Sequence, residues 1–165
     1  MAPSGSLAWV HADAPYTPLM PASSPGPRPA LVRQGDRDKA YRPLPEPARR
    51  AAFEAGLAAY ARGEPFEAHE LLEPAWMGTD DLTERALHQG LIKVAAACVH
   101  AGRGNPPGII KNLAGARRHL ALALPLGAAW GVDVAALLAD VDARLADPSL
   151  AATAPAPVIR RTPLA

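Results

Sequence analysis

Between about residues 47 and 145 the apolar side chains return at intervals of three and four, which gathers them on one side of an α-helix with 3.6 residues per turn. Phe53, Leu57 and Tyr60 share one face of a first helix over 47–61, and Gly63 marks its end. Pro65 opens a second helix at a position where its missing N–H costs nothing, and Phe66, His69, Leu72, Glu73 and Trp76 run along adjacent rows of it. Pro74, late in that segment, predicts a kink or an end. Asp81 followed by Glu84 has the form of a capping box and starts a third helix over 82–100, closed by Gly102 and Gly104. Leu91, Ile92, Val94, Ala95, Ala96, Cys98 and Val99 leave this helix so little polar surface that it should run through the middle of the domain. Asn105 caps a fourth helix, with Pro106 and Pro107 in its first turn and Ile109, Ile110, Leu113 and Leu120 as apolar positions, while Gly115 and Ala116 permit close approach. After a loop over 125–131, Asp133 caps a fifth helix with an apolar stripe of Val134, Leu137, Leu138, Val141 and Leu145.

Outside these limits the period is lost. Residues 1–46 are rich in Pro, Ser, Gly and Arg, and residues 148–165 repeat that character with Pro155, Pro157 and Pro163. Both stretches read as flexible, too poor in apolar side chains to offset the entropy of ordering. The expected architecture is therefore all-α: a compact bundle of about five helices over 47–147, between a Pro-rich arm (1–46) and a tail (148–165), both disordered. Composition agrees, since 49% of residues are hydrophobic but only 5% are aromatic, which favours close helix packing over a β-sandwich. No repeat of fixed period calls for a solenoid.

Charge and cysteine content narrow the function classes. Seventeen Lys and Arg against sixteen Asp and Glu give +1, no global field to draw nucleic acid or an anionic membrane, so neither is the expected partner. The group Lys111, Arg117, Arg118 and His119 lacks interleaved aromatics and reads as a solvated helix face. A single cysteine, Cys98, in an apolar run builds neither a disulfide framework nor a Cys-rich zinc site and fits a reducing, cytoplasmic setting. The first residues lack the basic start and apolar stretch of a secretory signal, and the most apolar run, 90–99, is far short of the roughly 20 residues that span a membrane. The partners left open are a second copy of the chain or another protein reached by the Pro-rich arm. His11 and His88 stand isolated.

The chemistry, if there is any, centres on His69 and Glu73, whose spacing puts an imidazole and a carboxylate on one face of a helix. Both are ordinary ligands for a divalent ion such as zinc, manganese or iron, and the third would be His100. Gln89, Lys93 and His100 fall close to one line on the third helix, since eleven residues make about three turns. Polar groups in so apolar a helix need partners, and the nearest polar cluster is on the second helix. Two readings follow. In one, His69, Glu73 and His100 hold a metal, with Glu70 as catalytic base of a hydrolase, after the His-Glu-x-x-His pattern with its second His replaced by Glu73. In the other the cluster is a structural polar network in a non-enzymatic interaction module: His69 pairs with Glu73, His100 bonds a backbone carbonyl, and the Trp76 indole donates to Glu73 or to a carbonyl.

The spacing of His69, Glu73 and Trp76, in FEAGLAAYARGEPFEAHELLEPAW and followed by ERALHQGLIKVAAACVHAGRGNPPG, resembles the family known as domain of unknown function 309. The resemblance covers about residues 53–124 and implies a compact helical bundle with the His and Glu of the motif as suggested metal ligands and no established activity. Gln89, Gly90, His100, Asn105 and Gly108 also match that pattern, whereas Lys93 stands where an uncharged side chain is expected. An ammonium there would repel a cation unless it pairs with Glu73 or Glu70.

Overall fold

The computed structural model describes residues 30–34 and 36–164. The bundle has the expected five long helices: α1 (Glu46–Ala61), α2 (Pro65–Met77), α3 (Leu82–Gly102), α4 (Pro106–Ala123) and α5 (Val134–Ala146). All three expected caps form. Asp81 accepts the N–H of Glu84 at 2.7 Å, Asn105 that of Gly108 at 3.2 Å and Asp133 that of Ala136 at 2.9 Å, each satisfying a donor that a helix start leaves open. Pro74 stays inside α2, which ends one turn later at Met77.

The core lies around α3, as its apolar girth requires. Leu87, Leu91, Val94 and Ala95 are shut off from solvent there, with Phe53 and Leu57 of α1, Leu72 of α2, Leu113 and Leu120 of α4 and Leu137 and Val141 of α5 around them. α3 packs on α2 along one side and on α4 along the other, and α1 packs on α2. Gly90 lets α4 come so near that a Cβ there would stand 2.7 Å from Leu120 Cδ2 and 3.3 Å from the Leu120 nitrogen.

Two stretches depart from the expected tails. Residues of the arm form an antiparallel hairpin, β1 (Ala30–Gln34) and β2 (Arg37–Tyr41), with Val32 opposite Lys39 and Gln34 opposite Arg37. Directly paired residues point to one face, so Val32, Gln34, Lys39 and Tyr41, all half-buried in contrast to Leu31, Arg33 and Asp38, face the bundle. Residues 1–29, with His11 and the rest of the expected arm, lie outside the described residues.

In the tail, Asp147 caps a sixth helix, α6 (Pro148–Thr153), and the chain then crosses the bundle. There the Pro157 carbonyl accepts from Tyr60 Oη at 2.7 Å, Arg160 O accepts from Asp133 N at 3.0 Å, and Thr162 N donates to Gly131 O at 3.0 Å. These segments are held by main-chain and polar contacts, to which an apolar period is blind. Among the described residues no helix is long and apolar enough to cross a membrane.

Candidate functional site

The motif side chains on α2 turn away from one another. His69 Nδ1 lies 3.1 Å from Glu70 Oε1, not against Glu73, and among the described residues Glu73 makes neither a hydrogen bond nor an ion pair. The expected pairing of His69 with Glu73 is therefore absent, because a half-buried imidazole at the helix surface can turn to the adjacent carboxylate. His100 sits at the far end of α3, where its Nδ1 accepts from Asn105 Nδ2 at 2.9 Å instead of bonding a carbonyl. The Asn105 oxygen is occupied by the Gly108 N–H, so the amide nitrogen must face His100. His100 thus steadies the cap of α4. Among the described residues no three His, Cys, Asp or Glu side chains come together so as to hold a metal ion, and His69, Glu73 and His100 do not assemble as a ligand set.

Trp76 and Gln89 do meet, through a residue that sequence reasoning placed in the arm. Gln34 of β1 donates its Nε2–H to Gln89 Oε1 at 2.6 Å and accepts at Oε1 from Trp76 Nε1 at 3.3 Å and from Arg85 Nε at 3.4 Å. The indole partner is a side-chain amide, not Glu73 or a carbonyl as expected. Arg85 is wholly buried on α3. Its guanidinium donates to Thr79 O at 2.9 Å and Ala40 O at 3.4 Å, and stands 5.1 Å from the centre of the Trp76 ring. The hairpin is thereby joined to α2 and α3 through one arginine and one glutamine.

A second group continues along α3. Arg49 of α1 holds Glu84 in a two-pronged pair, Nε to Oε1 at 2.6 Å and Nη2 to Oε2 at 3.0 Å. His88, a turn further on, sets Nε2 3.3 Å from Glu84 Oε1 and packs edge-on against Trp130 and Phe53, with ring centres 4.8 and 5.5 Å away. Its Nδ1 is buried with no hydrogen-bond partner. Burial pushes the imidazole pKa below its ordinary value against the pull of Glu84, so the ring is neutral near pH 7 and donates from Nε2. Burial would also raise Glu84, but the hydrogen bonds from His88 and Arg49 hold it down to about 2.

Sequence reasoning missed Gln34, Arg49, Glu84 as an ion-pair partner, Arg85 and His88. The argument applied to Gln89, that a polar residue in a central helix must have a partner, would have found Arg85 and His88 had it been extended one turn toward the N-terminus.

Lys93 pairs with neither Glu70 nor Glu73 among the described residues. It lies instead along α4, over Gly115, where a Cβ would meet Lys93 Cδ at 2.5 Å and Cε at 2.9 Å.

No curated protein matches this chain. Residues 53–112, from the middle of α1 into the second turn of α4 and including His69, Glu73, Trp76, Gln89 and His100, match the model of the family described as Domain of unknown function (DUF309), the family that the motif resembles.

Proposed function

We propose that this chain is a non-enzymatic helical interaction module in which Trp76, Gln89 and Arg85 form a structural polar network that fastens a β-hairpin across the bundle. The observation that carries this reading is the Gln34 side chain, whose amide meets all three of those groups at once. A catalytic or metal site leaves coordination or hydrogen-bonding capacity open for its substrate, whereas Trp76, Gln89 and Arg85 direct theirs to Gln34 of the hairpin. Such a module presents the hairpin as a rigid surface to a protein partner.

The test compares the full chain with Gln34→Ala by thermal melting, metal analysis and hydrogen exchange. Gln34→Ala orphans the Trp76 N–H and one Arg85 donor, so a loss of about 1–3 kcal/mol is expected, with faster exchange in β2. Melting should be indifferent to a chelator. Stoichiometric zinc, manganese or iron in the purified protein, lost in His69→Ala together with stability, would replace this reading with the metal-binding one.

A further inference from the structure

The chain has three lysines among its seventeen Lys and Arg, and the fold turns them toward one junction: Lys93 lies over Gly115 of α4, one helical turn from Lys111 on one side and His119 on the other, and the hairpin that carries Lys39 meets α3 at Gln89, one turn before Lys93. Lys39 is on the inward face of β2, Lys93 is half-buried on α3 over Gly115, and Lys111 is on α4, which also supplies Arg118 and His119. Among the described residues none of these cations has a carboxylate partner. Several arginines elsewhere do have one: Arg49 pairs with Glu84, Arg117 with Asp142, Arg144 with Asp140 and Arg161 with Glu54. His119 Nδ1, beside the lysines, is buried and has no hydrogen-bond partner.

The pKa directions of the two half-buried groups agree with this crowding. Burial foremost, then Arg118, Lys39 and Lys111, pulls the Lys93 ammonium below its ordinary pKa. Burial and then Lys93, Arg118 and Lys39 bring His119 down to about 4. Besides burial, the charges named for these two groups are all cations. Half-burying an ammonium among other cations is unfavourable in the folded chain alone, and an anion seated between them removes the cost.

We infer that Lys39, Lys93, Lys111, Arg118 and His119 form a binding site for the phosphoryl group of a small ligand, at the junction of the hairpin with α3 and α4. A phosphate dianion offsets two of the four permanent cations and a pyrophosphate more of them, where a single carboxylate would leave most of them unbalanced. Lysine serves as a point charge toward phosphate, and His119 Nδ1 supplies a further polar contact. A nucleic acid needs a longer basic track with aromatic platforms, which the carboxylate-paired arginines elsewhere do not provide. The inference goes beyond the network reading: a phosphoryl site is compatible with a metal-free and with a metal-holding α2.

The experiment is calorimetric titration of the full chain with pyrophosphate at constant ionic strength, beside Lys93→Met, Lys39→Gln and a single-stranded oligonucleotide. One saturable site is expected in the wild type, weakened about tenfold or more in Lys93→Met and measurably in Lys39→Gln. Without ligand, Lys93→Met should melt no lower than the wild type, since a repelled charge is gone. No saturable pyrophosphate binding, or wild-type affinity in both Lys39→Gln and Lys93→Met, overturns the site. Tighter binding of the oligonucleotide than of pyrophosphate overturns the small-ligand assignment.

Discussion

Glu84 and His88 answer to pH in the same direction, through different physics. His88 has its folded pKa lowered by burial, and protonating it would give Nδ1 a hydrogen with no acceptor. The unfolded imidazole takes up its proton first, so the stability that His88 contributes is complete above about 6.5 and declines as pH falls below it. Glu84 is held at about 2 by His88 and Arg49 against burial, below its ordinary 4.5. Its contribution is present above 4.5 and is lost as pH falls from there to about 2, on the order of 3 kcal/mol in all. Urea unfolding between pH 7.5 and 3 should therefore show two descending legs. His88→Phe, a ring of similar shape between Phe53 and Trp130, should remove the upper leg and leave a smaller lower one, since Arg49 alone then holds Glu84 down. A flat profile between pH 7 and 5 in the wild type would show that His88 is not the buried neutral ring described here.

At the scale of elements, the contact of α3 with α4 depends on glycine. Alanine at position 90 would favour an isolated helix by about 1 kcal/mol. Its methyl would nevertheless collide with the buried Leu120 side chain and crowd that residue's main chain, and overpacking of this kind costs about 1–3 kcal/mol. Gly90→Ala is expected to destabilise by up to about 2 kcal/mol in denaturant unfolding, and a stabilised variant would mean that α4 can shift freely. Close approach at Gly115, the caps at Asp81, Asn105 and Asp133 and the central place of α3 were all legible in the sequence, because each follows from residues within a turn or two of one another. The partners at the candidate site were not legible for the opposite reason. Gln34 meets Trp76 and Gln89 across separations of 42 and 55 residues, and its strand is a short run among prolines and charges with too little alternation to stand out. His69 and Glu73 share a helix face as their spacing requires, yet sharing a face does not settle which neighbour an exposed side chain turns to.

For the whole molecule, the segment after α6 decides whether the bundle ends at α5 or is strapped from outside. It packs Ile159 against the core, receives the Tyr60 hydroxyl at Pro157, ties the turn at Gly131 to Thr162 and sets Arg161 2.7 Å from Glu54. A disordered tail would leave the protein indifferent to its removal. The strap instead predicts that a chain cut after Thr153 loses on the order of 1–3 kcal/mol, the net of several hydrogen bonds and one apolar contact against the entropy regained. That amounts to about 2–4 °C in melting temperature for each kcal/mol lost. Tyr60 gives a readout that general loosening of the bundle would not imitate. Burial, with the neighbouring Cys98, drives its phenol pKa far above the ordinary value, so in the intact chain it should stay protonated until alkali unfolds the protein. Removing the strap strips Pro157 from the hydroxyl and opens that side of α1 to water. The phenol should then ionise near its usual pH while the helical signal is still intact, as followed by ultraviolet absorbance beside circular dichroism. If the cut chain melts with the full one and Tyr60 still titrates only on unfolding, the segment covers the bundle without holding it.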